Sequence, residues 1–305
     1  MAICGTFFNG GTMAEKPLSE TAVKQFRPRV GHIEYLNCTP LLWGLARNGS
    51  LLDMELIKGT PDVLAAAIIE GRIDVGPVSL IEFLQHRDEL VALSDIAIGS
   101  DGPVMSCIIV SRVPLDQLDG ARVALGSQSR TSVRLARLLL EQLVGVEADY
   151  FRCAPDLDAM LAAAPAAVLI GDAALHAATY EKERLGFTVH DLGQMWREWT
   201  GHPFVFAVMA ARRDFADAHP AMVAEVNEAL IDARDLALRE IAELSHRIAR
   251  WCQFDAAVLY RYYTEALSYD LGARQQAGIN AFADHVGLAA QPDIDPVVRS
   301  LRRTP

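Results

Sequence analysis

Val30-Gly-His-Ile-Glu34 is a short strand-like run, and Tyr35-Leu-Asn-Cys-Thr-Pro-Leu-Leu42 turns directly from it into a helix start. Thr39 stands in an N-cap position with Pro40 at the first helical residue, where a missing N–H costs nothing. Working outward, the same cadence returns. Asp53 to Ile57 reads as a second strand, and Thr60-Pro-Asp62 opens a helix carrying Val63, Leu64, Ala67 and Ile68, which Gly71 ends. Ile73 to Val78 is a third strand, followed by Ser79-Leu-Ile-Glu82 with capping-box spacing. Strand and helix alternating in this way predict an α/β fold with a largely parallel sheet.

The middle of the chain restarts the pattern. Val104 to Val110, Arg122 to Leu125, Asp149 to Arg152, Ala167 to Ile170 and Phe187 to Leu192 are strand-like, and Phe204 to Ala210 reads as a return strand. Thr131 to Leu143 has a helical apolar stripe closed by Gly145. The last third is helical: Val223, Val226, Leu230, Ala233, Ala237, Ile241, Leu244 and Ile248 recur every three or four residues as one core-facing stripe. Two further helices are expected from Asp255 to about Tyr269 and from Arg274 to about Val286, with Tyr260, Tyr262, Tyr263 and Tyr269 as packing residues. This order predicts two α/β domains, with 28–110 plus 206–290 forming one and 111–205 inserted as the other. The hinge is expected near 110–113 and 204–206. Residues 1–27 read as a flexible extension and 291–305 as a tail.

Length and charge narrow the function. The 305 residues suffice for two domains, and the formal charge of −11 is unsuited to a nucleic-acid backbone. The longest apolar run, Ala159 to Ile170, is broken by Pro165 and is too short to span a bilayer. Five scattered cysteines without a CxxC pair form neither a disulfide framework nor a metal site. No apolar signal-peptide stretch occupies the first 25 residues, so a cytoplasmic location is expected.

In α/β sheets ligands bind where strands end and helices begin, because free amides and the positive end of the helix dipole point there. The small polar residues at those positions are Tyr35 and Asn37, Ser79, Ser106, the run Gly126-Ser127-Gln-Ser129-Arg-Thr131-Ser132, and Asp172. Gly126 to Ser132 lacks the Gly-Lys-Ser/Thr ending of a nucleotide-binding P-loop, which leaves a carboxylate or phosphate as the anion to be held. Asp172 is placed to cap the next helix. Trp196, Trp199, Phe204 and Phe206 are candidates to wall a pocket. His176 and His202 are the histidines nearest these loops, apart from His32 within the first strand.

Taken together, Val30 to Leu42, Glu70 to Glu82 and Gly126 to Ser132 resemble the chorismate dehydratases of the futalosine route to menaquinone. The resemblance implies a type II periplasmic-binding-protein (venus-flytrap) fold with a hinge and an inter-domain cleft, used as a cofactor-free enzyme with chorismate as its small-molecule substrate. It further implies that Asn37 and Ser106 meet the reacting part of that substrate; Tyr35, Ser79, Ser127, Ser129, Thr131, Ser132 and Asp172, from their places in the loops at strand ends and helix starts, are the expected binding residues. Cys38 stands where a small polar residue is expected. Two alternatives remain: a small-carboxylate binding protein of the same fold, and the paralogous 1,4-dihydroxy-6-naphthoate synthase, which is expected to use a histidine base.

Overall fold

A computed structural model describes residues 26–126 and 130–288. Among the described residues, ten strands form two five-stranded sheets. The first contains β1 (Arg29–Ile33), β2 (Glu55–Gly59), β3 (Val75–Ser79), β4 (Leu90–Ser100) and β10 (Phe204–Arg212), in the order β2-β1-β3-β10-β4. The second contains β5 (Cys107–Ser111), β6 (Arg122–Gly126), β7 (Asp149–Cys153), β8 (Ala166–Ile170) and β9 (Thr188–Asp191), in the order β7-β6-β8-β5-β9.

Neither sheet is purely parallel. Three strands in each pair in parallel, whereas β10 runs antiparallel to β3 and β4, and β5 runs antiparallel to β8 and β9. In both sheets the reversed strand is the first to arrive after the chain crosses from the other domain. The strand expected over 104–110 begins at Cys107 and pairs entirely within the second sheet, although sequence order had assigned it to the first domain. The first crossing therefore occupies residues 101–106. The second lies just before Phe204, after the helix Leu192–Thr200.

β4, the longest strand, has no counterpart in the sequence reading. Its residues Leu90 to Ser100 are buried on both faces apart from Asp95, so they lack the alternation that marks a half-exposed strand. Asp95 has φ 62, where the register against β10 slips. The long apolar stripe over 223–248 also belongs to two helices, Pro220–Arg239 and Ile241–Ala249. They part at Glu240, whose carboxylate takes the Trp43 indole N–H at 2.8 Å and the Arg47 guanidinium at 2.9 Å.

The start of the first helix, Thr39–Asn48, fixes the turn that carries Asn37. Cys38 occupies its N-cap position and no side chain caps it, so Thr39 is the first helical residue rather than the cap. Its other face lies directly on Pro220–Arg239. A Cβ built on Gly44 would sit 2.0 Å from the Ala233 carbonyl oxygen, a distance that only glycine avoids. The largest apolar cluster runs through both domains, joining Ile33, Val78 and Phe206 to Val123, Leu125 and Leu135. No helix among the described residues is long and apolar enough to cross a membrane.

Because the Gly44 contact is backbone against backbone, Gly44→Ala must push two helices apart. It is expected to destabilise the fold by about 1–3 kcal/mol, read as a lower midpoint in urea unfolding. An unchanged midpoint would show that the two helices do not approach this closely.

Candidate active site

Six of the residues singled out from sequence, Tyr35, Asn37, Ser79, Ser106, Thr131 and Ser132, line one cavity between the two sheets. Ile98, Phe206 and Cys107 complete much of its wall. It measures ≈ 60 Å³, well short of the roughly 300–1,000 Å³ of ordinary small-molecule sites. The two domains are thus closed on one another around it. Ser127 and Ser129 lie outside the described residues.

Asn37 sits in a single 3₁₀ turn, Leu36–Cys38, between β1 and the first helix. The turn is held from both sides. Asp172 accepts the Leu36 amide at 3.0 Å, and the Tyr269 hydroxyl donates to the Asn37 carbonyl at 2.6 Å. Asp172 therefore does not cap its own helix, Gly171–His176, but satisfies an amide across the cleft. The Asn37 Oδ1 atom is buried without a hydrogen-bond partner among the described residues. Tyr35 packs its ring on Gly171, whose φ of 64 and lack of a side chain allow the contact; a Cβ there would come within 3.1 Å of the ring.

Ser79 ends β3, and its hydroxyl is likewise buried without a partner among the described residues. The expected capping box with Glu82 does not form. Glu82 is buried and pairs instead with Arg130 of the other domain at 2.5 Å. Thr131 supplies a cap to the Ser79 helix from outside, its Oγ1 accepting the Ile81 amide at 3.0 Å. Each helix start is completed by the opposite domain, which sequence-local capping rules cannot reveal.

Ser106 closes the first crossing. Its amide donates to Val104 at 2.7 Å and its carbonyl accepts the Gly171 amide at 2.7 Å. The preceding Met105 has φ 61, a strained conformation for a side chain of that size. The Asp191 carboxylate holds it there, accepting the amides of Val104 at 3.0 Å and Met105 at 2.6 Å while capping the helix Leu192–Thr200 through Gln194. The Tyr262 hydroxyl donates to Ser106 Oγ at 2.8 Å. Tyr262 and Tyr269, expected only as packing residues, are thus direct partners of the two central site residues.

Desolvation governs the ionisable groups here. Burial pushes the Cys107 thiol up to about 12, and burial beside Asp172 pushes the Tyr35 phenol up to about 12. Burial raises Asp172 too, against the Leu36 amide that favours its charge. All eight histidines lie among the described residues and none lines the cavity. His176 packs against Tyr180 and Phe254 instead, and burial lowers His32 to about 4. Of the four aromatic residues expected to wall a pocket, Phe206 does so. Trp196 and Phe204 pack into the core against Phe282, and Trp199 stacks on His285. No cluster of metal-binding side chains occurs among the described residues.

A second groove, of ≈ 520 Å³, runs from Ile81 and Glu82 onto the other domain. It gathers Arg130, Arg134, Arg137 and Arg152, with Glu82 as its one carboxylate among the described residues. The 130–134–137 spacing is legible in the sequence as a single helix face.

The sequence model of a family described as "Menaquinone biosynthesis" matches residues 28–287. The chain is 31% identical over 283 residues to the chorismate dehydratase of Thermus thermophilus, covering 88% of this chain and 99% of that protein. It is 30% identical over 273 residues to the 1,4-dihydroxy-6-naphtoate synthase of the same organism, covering 86% and 96%. A Candida albicans protein described as having the generic periplasmic-binding-protein fold superposes with a TM-score of 0.65 at 12% identity, covering 90% of this chain and 94% of that one. The chain belongs to the menaquinone-biosynthesis family, built on a periplasmic-binding-protein-like fold of two α/β domains closed over a shared cleft.

Proposed function

We propose that the protein is a chorismate dehydratase that eliminates water from chorismate to give 3-[(1-carboxyvinyl)oxy]benzoate. The observation that carries this reading is a closed cavity in which Asn37 and Ser106 meet with no histidine in the wall. The paralogous naphthoate synthase, a relative of nearly equal identity, is expected to need a histidine base. That requirement weighs against it here.

Chorismate carries a ring carboxylate, an enolpyruvyl carboxylate, and a hydroxyl beside the ether carbon. The reaction breaks the C–H bond at the ether carbon and the C–O bond at its neighbour, and forms the ring double bond between them. The proton and the departing hydroxide leave as water. Aromatisation drives the step, and the ring carboxylate accepts developing charge through the diene. The protein's task is then to hold two anions, solvate the departing hydroxyl and exclude bulk water. Ser79, Thr131 and Ser132 supply hydroxyls at helix starts, where the dipole favours anions. Asn37 orients the ring, Ser106 donates to the leaving oxygen, and the substrate's own enolpyruvyl carboxylate takes the proton. No cofactor enters this scheme. Entry of a substrate this large into so small a cavity requires the domains to part, as lids do in other enzymes.

The deciding experiment is incubation of the purified protein with chorismate, without added cofactor, followed by chromatography and mass measurement. A product lighter by one water and with aromatic absorbance is expected. Unchanged chorismate from folded protein would overturn the assignment, favouring the paralogue if its substrate turns over, or a binding protein if carboxylates only raise the melting temperature. Asn37→Ala and Ser106→Ala are each expected to lower kcat by on the order of 10²–10³ without loss of fold; wild-type turnover in either removes that residue from the mechanism.

The arginine groove gives a local positive field on a molecule of net charge −11. A dianionic substrate approaching the cleft is drawn by it. Replacing Arg134 and Arg152 together by Gln is expected to lower kcat/KM by roughly 3–10-fold at low ionic strength. The deficit should fade in high salt; a deficit indifferent to salt would assign the arginines another role.

A further inference from the structure

Ser106 has an unusual set of neighbours for a substrate-facing hydroxyl. Its own proton has only weak acceptors among the described residues: the Val104 carbonyl at 3.4 Å, which is long for an O–H donor, and the soft thiol of Cys107 in the cavity wall. Its oxygen, by contrast, takes a short bond of 2.8 Å from the Tyr262 hydroxyl, and both groups are buried. Tyr262 is fully enclosed, at 0% exposure, among Leu175, Tyr263, Leu259 and Met105. It opens a π-helical turn, Tyr262–Ala266, that interrupts the end of the helix Ala256–Arg261. Such turns re-aim side chains and occur often at functional sites.

From this arrangement we propose that Tyr262 is the positioning residue of the elimination, locking Ser106 as a hydrogen-bond donor toward the substrate. Tyr262 donates its single proton to Ser106 Oγ. One side of that oxygen is thereby occupied, the rotamer is fixed, and the serine proton is turned toward the cavity. Burial raises the phenol well above its ordinary value, so the tyrosine keeps the proton it donates throughout the working range. A hydroxyl that already accepts a hydrogen bond is also a stronger donor. Ser106 therefore meets an acceptor on the substrate, the departing hydroxyl oxygen, and does not serve as the base. Tyr262 itself touches no reacting atom.

The inference rests on Ser106 facing the substrate, and the test separates the two. Wild type, Y262F, S106A and the double variant are compared for kcat and KM with chorismate, alongside thermal unfolding. Y262F is expected to lower kcat by about tenfold or more, with KM within about threefold of wild type because the serine still contacts the ligand. In the S106A background the same change is expected to cost little further, because the route through the serine is already gone. A merely structural tyrosine would cost the same factor in both backgrounds. Wild-type kcat in Y262F, or an additive loss in the double variant, overturns the proposal. Wild-type kcat in S106A overturns the reading of Ser106 itself. If Y262F is not recovered folded, S106A and the double variant are compared directly, since removing both partners leaves no orphaned group. Equal rates then support the proposal, and a further loss overturns it.

Discussion

A single half-buried carboxylate, that of Asp191, ties the first crossing between the domains to the helix that leads to the second. It takes the amides of Val104 and Met105 on the first crossing and that of Gln194 at the head of the helix leading to the second. Burial works against its charge, and the amides pull the other way. Hydrogen bonds to an ionised group are worth about 1.5–3 kcal/mol each. That is enough to hold Met105 at positive φ, a conformation costing of order 1–3 kcal/mol. The close fit extends to Gly193, where a Cβ would lie 2.4 Å from the Gly102 carbonyl. Ser106 inherits its direction from this clamp, and Tyr262 fixes the last degree of freedom, its hydroxyl rotor.

The cleft closes by the same logic. Helix starts leave amides without partners, and in most proteins a neighbouring side chain supplies the missing acceptor. Here the acceptors come from the facing domain. Thr131 serves the Ile81 amide, Asp172 serves the Leu36 amide, and Arg130 neutralises Glu82. Opening the cleft exposes all three sets to water at once. Closure of the domains and satisfaction of these helix starts are in this way one event.

What could be read in the sequence and what could not divides along this line. Strand ends and helix starts are local features, so Tyr35, Asn37, Ser79, Ser106, Thr131 and Ser132 can be picked out from sequence, and these six line one cavity. Their partners are far away in the chain. Tyr262 is 156 residues from Ser106, and Tyr269 is 232 residues from Asn37. In the sequence both look like ordinary members of a helix stripe. Ser79 and Glu82 have capping-box spacing, yet the nearby Arg130 outcompetes the Ser79 helix for the glutamate because an ion pair with a buried carboxylate is stronger than a neutral cap. β4 escaped notice for a different reason: burial on both faces erases the alternation by which strands are recognised.

The distribution of charge follows from the substrate class inferred for the site. A net charge of −11 repels a dianion at long range, but field strength at the cleft depends on the groups nearest it. Beyond about 8–10 Å at physiological salt the remaining carboxylates are screened. Four arginines line one groove, Arg130 paired with Glu82 and Arg137 with the neighbouring Glu141, which leaves Arg134 and Arg152 as its uncompensated charges among the described residues. The net local charge there is positive while the cleft is closed. When the domains part, the Arg130–Glu82 pair must separate, which frees one further guanidinium at the moment the helix starts lose their cross-domain partners.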